Sequence, residues 1–195
     1  MAGRRIGILA LQGDFEAHAR ALAAAGAEPV EVRTRTELEA TDGLIIPGGE
    51  STTMLKLLDG EGLFEPLREY GARKPIFGTC AGAILLAREV TNPAQRSLAL
   101  MDMTVERNAY GRQLDSRVAR LGAADLDGPL AGLEMEAVFI RAPIIRRTGE
   151  GARVLARYQG DPVLVEQGRH LAATFHPELS ADGRIHALFA GKVAG

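Results

Sequence analysis

Pro75-Ile76-Phe77-Gly78-Thr79-Cys80-Ala81-Gly82 is the stretch whose reading decides the fold. A short apolar run enters a Gly-x-Cys-x-Gly turn and continues into residues 81–88, which are apolar on most sides. Strand, sharp turn and apolar helix together make one βα unit, with the turn at the carboxyl edge of a sheet. The same alternation recurs upstream. Residues 6–10 read as a strand, and Asp14 caps a helix that carries Phe15, Ala19 and Leu22 on one face and ends at Gly26. Residues 29–32 and 43–46 are further strands. Pro47-Gly48-Gly49-Glu50 is a turn, after which Ser51 is expected to cap a helix carrying Met54, Leu55 and Leu58, and residues 63–70 suggest another. Apolar strands alternating with helices predict a mostly parallel sheet covered on both faces.

The second half changes period. Residues 103–107, 112–121 and 137–141 read as strands, and 153–158 with 163–167 as a hairpin around Gln159-Gly160-Asp161-Pro162. Residues 170–175 form a further strand, and a terminal helix places Ile185, Leu188 and Phe189 on one face. Consecutive strands predict an antiparallel extension of the α/β core within a single domain spanning 1–195.

Composition narrows the function classes. The 195 residues include 23 Lys+Arg and 25 Asp+Glu, a net charge of −2, which offers nucleic acid no attraction. At 46% hydrophobic and 25% charged the chain is of globular composition, and no apolar run reaches the ~18 residues of a membrane helix. The apolar stretch from Ile6 is interrupted at Gln12-Gly13-Asp14, too early for a signal-peptide core, and one Cys cannot form an internal disulfide. A cytoplasmic protein without metal or cofactor is the expectation.

Cys80 in its glycine-flanked turn reads as a nucleophile. The positive end of the following helix favours the thiolate, and its free N–H groups can hold an oxyanion. The competing reading of a lone thiol is a buried structural Cys. A thiol nucleophile needs a base, and His176-Pro177-Glu178 supplies one at a strand end: if Pro177 turns the chain, Glu178 returns to orient the imidazole. His18 and His186 sit at helical positions and read as surface residues, and His170 lies in a hairpin-like bend. The Gly48-Gly49 loop also opens a helix. A phosphate cradle is its rival use, but no Lys stands at the needed offset and Glu50 puts a carboxylate where phosphate would sit. An oxyanion donor facing Cys80 is the better reading.

Three stretches, Pro47-Gly48-Gly49-Glu50-Ser51-Thr52, Gly78-Thr79-Cys80-Ala81-Gly82 and His176-Pro177-Glu178, occur in the order and rough spacing of class I, triad-type glutamine amidotransferases. Ala10-Leu11-Gln12-Gly13-Asp14, Val105-Glu106-Arg107-Asn108-Ala109-Tyr110-Gly111-Arg112-Gln113 and Phe139-Ile140-Arg141-Ala142-Pro143 more narrowly resemble the glutaminase subunits of pyridoxal 5'-phosphate synthase. The resemblance implies a three-layer, flavodoxin-like α/β fold and a reaction in which Cys80 attacks the carboxamide of L-glutamine while His176, oriented by Glu178, moves the proton. It implies oxyanion donors at Gly48, Gly49 and Ala81, and glutamine contacts at Gly49, Glu50, Ser51, Arg107, Ile140 and Arg141. It places Gln12 beside the oxyanion loop and the partner interface. A guanidinium suits the α-carboxylate of glutamine, which gives the two arginines a physical case.

The implied partner is a barrel-shaped synthase subunit that takes ammonia through a channel in a hetero-oligomer, so pyridoxal phosphate is the product of the assembly and not a cofactor of this chain. Arg117 stands where an aromatic is common in the family. The glutaminase subunit of another amidotransferase, such as imidazole glycerol phosphate synthase, and a catalytically silent assembly module are the competing readings.

Overall fold

The structure is a computed structural model and describes residues 3–109 and 116–195. Its first half is built from β1 (Arg5–Leu9), α1 (Phe15–Ala24), β2 (Glu28–Val32), α2 (Arg35–Glu39), β3 (Gly43–Ile46), α3 (Ser51–Gly60), α4 (Phe64–Arg73), β4 (Ile76–Thr79) and α5 (Ala81–Leu86). Asp14 caps α1 by accepting a hydrogen bond from the Ala17 N–H at 3.0 Å. The short α2 is held at its start by a reciprocal capping box between Thr34 and Glu37. The strand expected within residues 112–121 begins outside the described residues and is seen as β7 (Ser116–Leu121). In chain order it lies between β5 (Ala87–Thr91) and β6 (Met101–Glu106) on one side and β8 (Met135–Ile140) and β9 (Ile144–Thr148) on the other. The chain closes with β10 (Ala152–Tyr158), β11 (Asp161–Gln167), β12 (His170–Ala173) and α6 (Arg184–Ala194).

The central sheet has seven strands in the order β10-β11-β12-β4-β3-β1-β2. From β2 to β12 neighbouring strands run parallel, whereas β11 and β10 add antiparallel to the β12 edge. The predicted α/β core with an antiparallel extension is therefore present. The hairpin turns at Gln159 and Gly160, both at positive φ, so Asp161 and Pro162 belong to the strand and not to the turn. Arg117 lies over the ring of Tyr158, with its guanidinium carbon 5.4 Å from the centroid and Nη1 donating to the hydroxyl at 2.9 Å.

The parallel strands are buried on both faces, and their side chains alternate between two cores. Leu44 and Ile46 of β3 point to a cluster with Met54, Leu58, Leu67, Tyr70 and Leu85, which belong to α3, α4 and α5. Ile45 points to the opposite side, where Phe77, Leu171 and Phe175 meet Leu22 of α1 and Ile185 and Phe189 of α6. This is the three-layer arrangement.

Several local expectations are corrected. The helix after Cys80 ends at Leu86, because Ala87 is already extended and pairs with Met101 as the first residue of β5. Glu50, not Ser51, caps α3: its carboxylate accepts from the N–H groups of Thr52 at 3.0 Å and Thr53 at 2.7 Å. His18 and His186 are fully buried, since α1 and α6 pack on each other and on the same sheet face. His170 is buried too, and its Nδ1 accepts from the Ile76 N–H at 3.2 Å.

Candidate active site

The parallel strands aim their carboxyl ends at one rim, the edge where open α/β sheets gather ligands. β4 ends at Thr79, and the chain turns through Cys80 at φ 50° and ψ −106° into α5. A non-glycine residue in that region is strained by roughly 1–3 kcal/mol and persists only where its surroundings fix it. Here the Cys80 N–H donates to the carbonyl of Ala173 on β12 at 2.8 Å. Gly82 allows the tight return, because a Cβ there would run into the carbonyl oxygen of Ile46 at the end of β3. The elbow is thus wedged between its two neighbouring strands.

β12 leads to His176, whose N–H donates to the carbonyl of Val138 on β8 at 2.8 Å. Pro177 opens a single 3-10 turn, Pro177–Leu179, and the turn folds Glu178 back onto the ring, with His176 Nδ1 2.7 Å from Glu178 Oε1. That contact leaves Nε2 as the ring nitrogen free to serve the Cys80 thiol. Burial works against a charge on His176. The neighbouring Cys80 side chain and the hydrogen-bonded Glu178 carboxylate outweigh it and push the group up to about 10. The Cys80 sulfur lies 4.0 Å from the carbonyl oxygen of Ile140.

The glycine loop after β3 lies directly on this pair. A Cβ at Gly48 would stand 2.5 Å from His176 Cε1 and 3.3 Å from Cys80 Cβ. Gln12, in the turn after β1, donates from Nε2 to the carbonyl of Glu50 at 2.8 Å and braces the loop from the far side. Burial opposes ionisation of Glu50, but the hydrogen bonds from Thr52 and Thr53 prevail and draw its carboxyl down to about 2. The N-terminus of α3 is therefore occupied by the protein's own carboxylate.

A cavity of about 220 Å³ opens over Cys80 and His176, and Gly49, Glu50, Ser51, Arg107, Ile140 and Arg141 all line it. The Ser51 side chain is turned away, donating to Gln95 Oε1 at 2.9 Å, so what Ser51 offers the cavity is backbone. Arg107 follows β6, and its largely buried side chain donates from Nη2 to Thr52 Oγ1 at 2.8 Å and lies 3.5 Å from Glu50 Oε1. A guanidinium has five N–H donors, so capacity remains for a carboxylate. Arg141 follows β8 at φ 43°. Ile84 and Asn108 also line the cavity and were not singled out from the sequence. Asn108 directly follows Arg107, and Ile84 sits one helical turn beyond Cys80, so spacing alone could have found both. Tyr110, Gly111, Arg112 and Gln113 of the subfamily stretch lie outside the described residues. A second, larger cavity of about 430 Å³, between β7, β8 and residues 180–184, is lined by none of Cys80, His176 and Glu178. Among the described residues no cluster of His, Cys, Asp or Glu could hold a metal ion, and no helix is long and apolar enough to cross a membrane.

Residues 8–194 match the SNO glutamine amidotransferase family. The pyridoxal 5'-phosphate synthase subunit PdxT of Solibacter usitatus (strain Ellin6076) is 62% identical over 97% of this chain and 100% of its own length. The protein of the same name from Koribacter versatilis (strain Ellin345) is 54% identical over 95% of this chain and 93% of its own. A crystal structure described as a glutamine amidotransferase superposes with a TM-score of 0.88 at 46% identity, covering 97% of this chain and 99% of that one. A glutamine amidotransferase from Thermotoga maritima shares the fold, with a TM-score of 0.59 at 15% identity over 98% of this chain and 83% of that one. The chain belongs to the SNO glutamine amidotransferase family, and with it to the enzymes that act on glutamine.

Proposed function

We propose that this chain, as one catalytic domain, hydrolyses L-glutamine through Cys80, His176 and Glu178 and delivers the ammonia to a pyridoxal 5'-phosphate synthase partner. The observation that carries the reading is the strained Cys80 turn facing an imidazole that Glu178 holds at 2.7 Å. The name of its relatives, a subunit of pyridoxal 5'-phosphate synthase, supports the partner. A reducing cytosol keeps the single thiol free for this chemistry.

The geometry suits the following steps. His176 Nε2 takes the thiol proton, and the sulfur attacks the carboxamide carbon, placing negative charge on the carboxamide oxygen. Backbone N–H groups of Gly49 and Ala81 receive that oxyanion, with the Gly48-Gly49 peptide presented by the loop that Gln12 braces. The imidazolium returns its proton to the departing nitrogen, ammonia leaves, and a glutamyl thioester remains on Cys80. A water deprotonated by His176 attacks the thioester, and glutamate and the thiol are released. Glu50, Ser51, Ile140 and the two arginines border the space for the amino acid end of glutamine, with Arg107 gripping its α-carboxylate.

Glutamate release from glutamine, measured with and without the synthase partner, tests the reading. Turnover is expected in the assembly and absent with Cys80→Ala. Undiminished turnover by that variant contradicts the mechanism, and a wild-type assembly without turnover leaves the chain an assembly module.

A further inference from the structure

Only one oxygen of the Glu178 carboxylate is used by His176. The other, Oε2, is buried and has no hydrogen bond of regular geometry. Facing it at 3.5 Å is Nε2 of His18, a fully buried ring on α1. The same nitrogen is 3.3 Å from Oγ1 of Thr79, the residue before the Cys80 nucleophile. On the far side of the ring, His18 Nδ1 lies 2.9 Å from Nε2 of His186, which is also fully buried and whose own Nδ1 has no partner. The groups form a chain from α6 through α1 to the triad.

Burial lowers both rings to about 4; for His18 the charges of His186 and His176 add to the effect and Glu178 opposes it. Each imidazole is therefore neutral near pH 7 and carries one N–H, which allows two arrangements. If His18 donates from Nδ1 to His186, its Nε2 can accept from the Thr79 hydroxyl but gives the Glu178 carboxylate no donor, and His186 is left with a buried N–H on Nδ1 that finds no acceptor. If His186 donates from Nε2 to His18 Nδ1, the His18 Nε2–H points between Glu178 Oε2 and Thr79 Oγ1. Only a lone pair, on His186 Nδ1, is then bare. The second arrangement supplies the buried carboxylate with a donor and removes the unpaired N–H.

We infer that His18, held by His186 in the Nε2–H tautomer, is a positioning residue that fixes the Glu178 carboxylate and through it the orientation of His176. This rests on the triad reading above. A carboxylate held through one oxygen can swing about that contact; a donor at the second oxygen fixes its plane. The 3.5 Å separation is longer than a regular hydrogen bond, and contacts of this kind in a free enzyme tighten as the reacting complex forms.

Two measurements test the inference. Nitrogen-15 NMR of the full chain at pH 7 is expected to show His18 neutral with its proton on Nε2. A proton on Nδ1, or a charged ring, overturns the inference. In the assembly with the synthase, His18→Leu removes the donor, and kcat is expected to fall roughly 10- to 100-fold with KM for glutamine within about twofold. His18→Gln places an amide N–H where Nε2 stood and is expected to stay within about threefold of wild-type kcat. Wild-type kcat in His18→Leu, or equal losses in both variants, overturns the inference. If His18→Leu does not fold, the tautomer and His18→Gln decide. An inactive wild-type assembly counts against the glutaminase reading instead, and the tautomer still decides this one.

Discussion

Gly48 and His176 are in such close approach that a single added carbon on Gly48 would stand 2.5 Å from Cε1 of the imidazole. The glycine loop and the imidazole are therefore packed as one unit, with Cys80 Cβ 3.3 Å from the same point. Gly48 does not take a left-handed backbone, so alanine costs little in conformation and acts by collision. Gly48→Ala is expected to lower kcat roughly 100-fold or more by displacing the ring, and to lower the melting temperature as overpacking of about 1–3 kcal/mol would. Steady-state glutaminase kinetics beside a thermal melt check this; wild-type kcat in the variant contradicts the packing argument.

In the proposed reaction Arg107 serves binding and not chemistry. Its side chain is largely buried at the cavity wall, tied to Thr52 and Glu50, and it touches neither Cys80 nor His176 through any hydrogen bond described for it. Arg107→Ala is expected to raise KM for glutamine roughly 10- to 100-fold with a smaller change in kcat. Arg107→Lys restores the charge but not the fork and falls between the two. A loss confined to kcat would remove Arg107 from α-carboxylate binding.

Stability should respond to acid. His18, His170 and His186 are each lowered to about 4 by burial, with Arg169 adding to the effect at His170. The unfolded chain takes up these protons near 6.5, so the stabilisation is complete above pH 6.5 and is lost as pH falls from 6.5 to 4. An isolated histidine shifted this far contributes about 3 kcal/mol, and the hydrogen-bonded pair His18 and His186 need not sum. His176 has the opposite sign: raised to about 10, it stabilises the fold below 6.5, and that contribution fades as pH climbs through 10. Melting temperature is expected to decline steadily from pH 6.5 to 4.5, and a flat profile there contradicts the buried, neutral histidines.

Much of this was legible in the sequence because local chemistry and tertiary fold agree. The strand at Ile76 and Phe77, the glycine-flanked turn and the apolar helix each predict the elbow, and Pro177 forces the bend that returns Glu178 to His176. Residues whose role comes from distant partners were harder to read. His18 shares its helix face with Phe15 and Leu22, three and four residues away, yet its histidine identity suggested a surface site. Its burial depends on α6, more than 160 residues later, and the contact with His186 emerges only when both helices lie on one sheet face. The short α2 was hidden by its five-residue length, although Thr34 and Glu37 spell a capping box. The helix expected over 81–88 takes in the first two residues of β5 because Ala87 and Arg88 suit either state, and it is pairing with β6 that makes the segment extended.

The central claim is that the sulfur of Cys80 carries the glutamyl group. The most direct measurement is acid-quenched peptide mass spectrometry of the assembly turning over glutamine. The account predicts a glutamyl adduct on the peptide containing Cys80, formed within the first turnover and absent from Cys80→Ala. Sustained glutamate release with no adduct on Cys80, and the same release from Cys80→Ala, would contradict it.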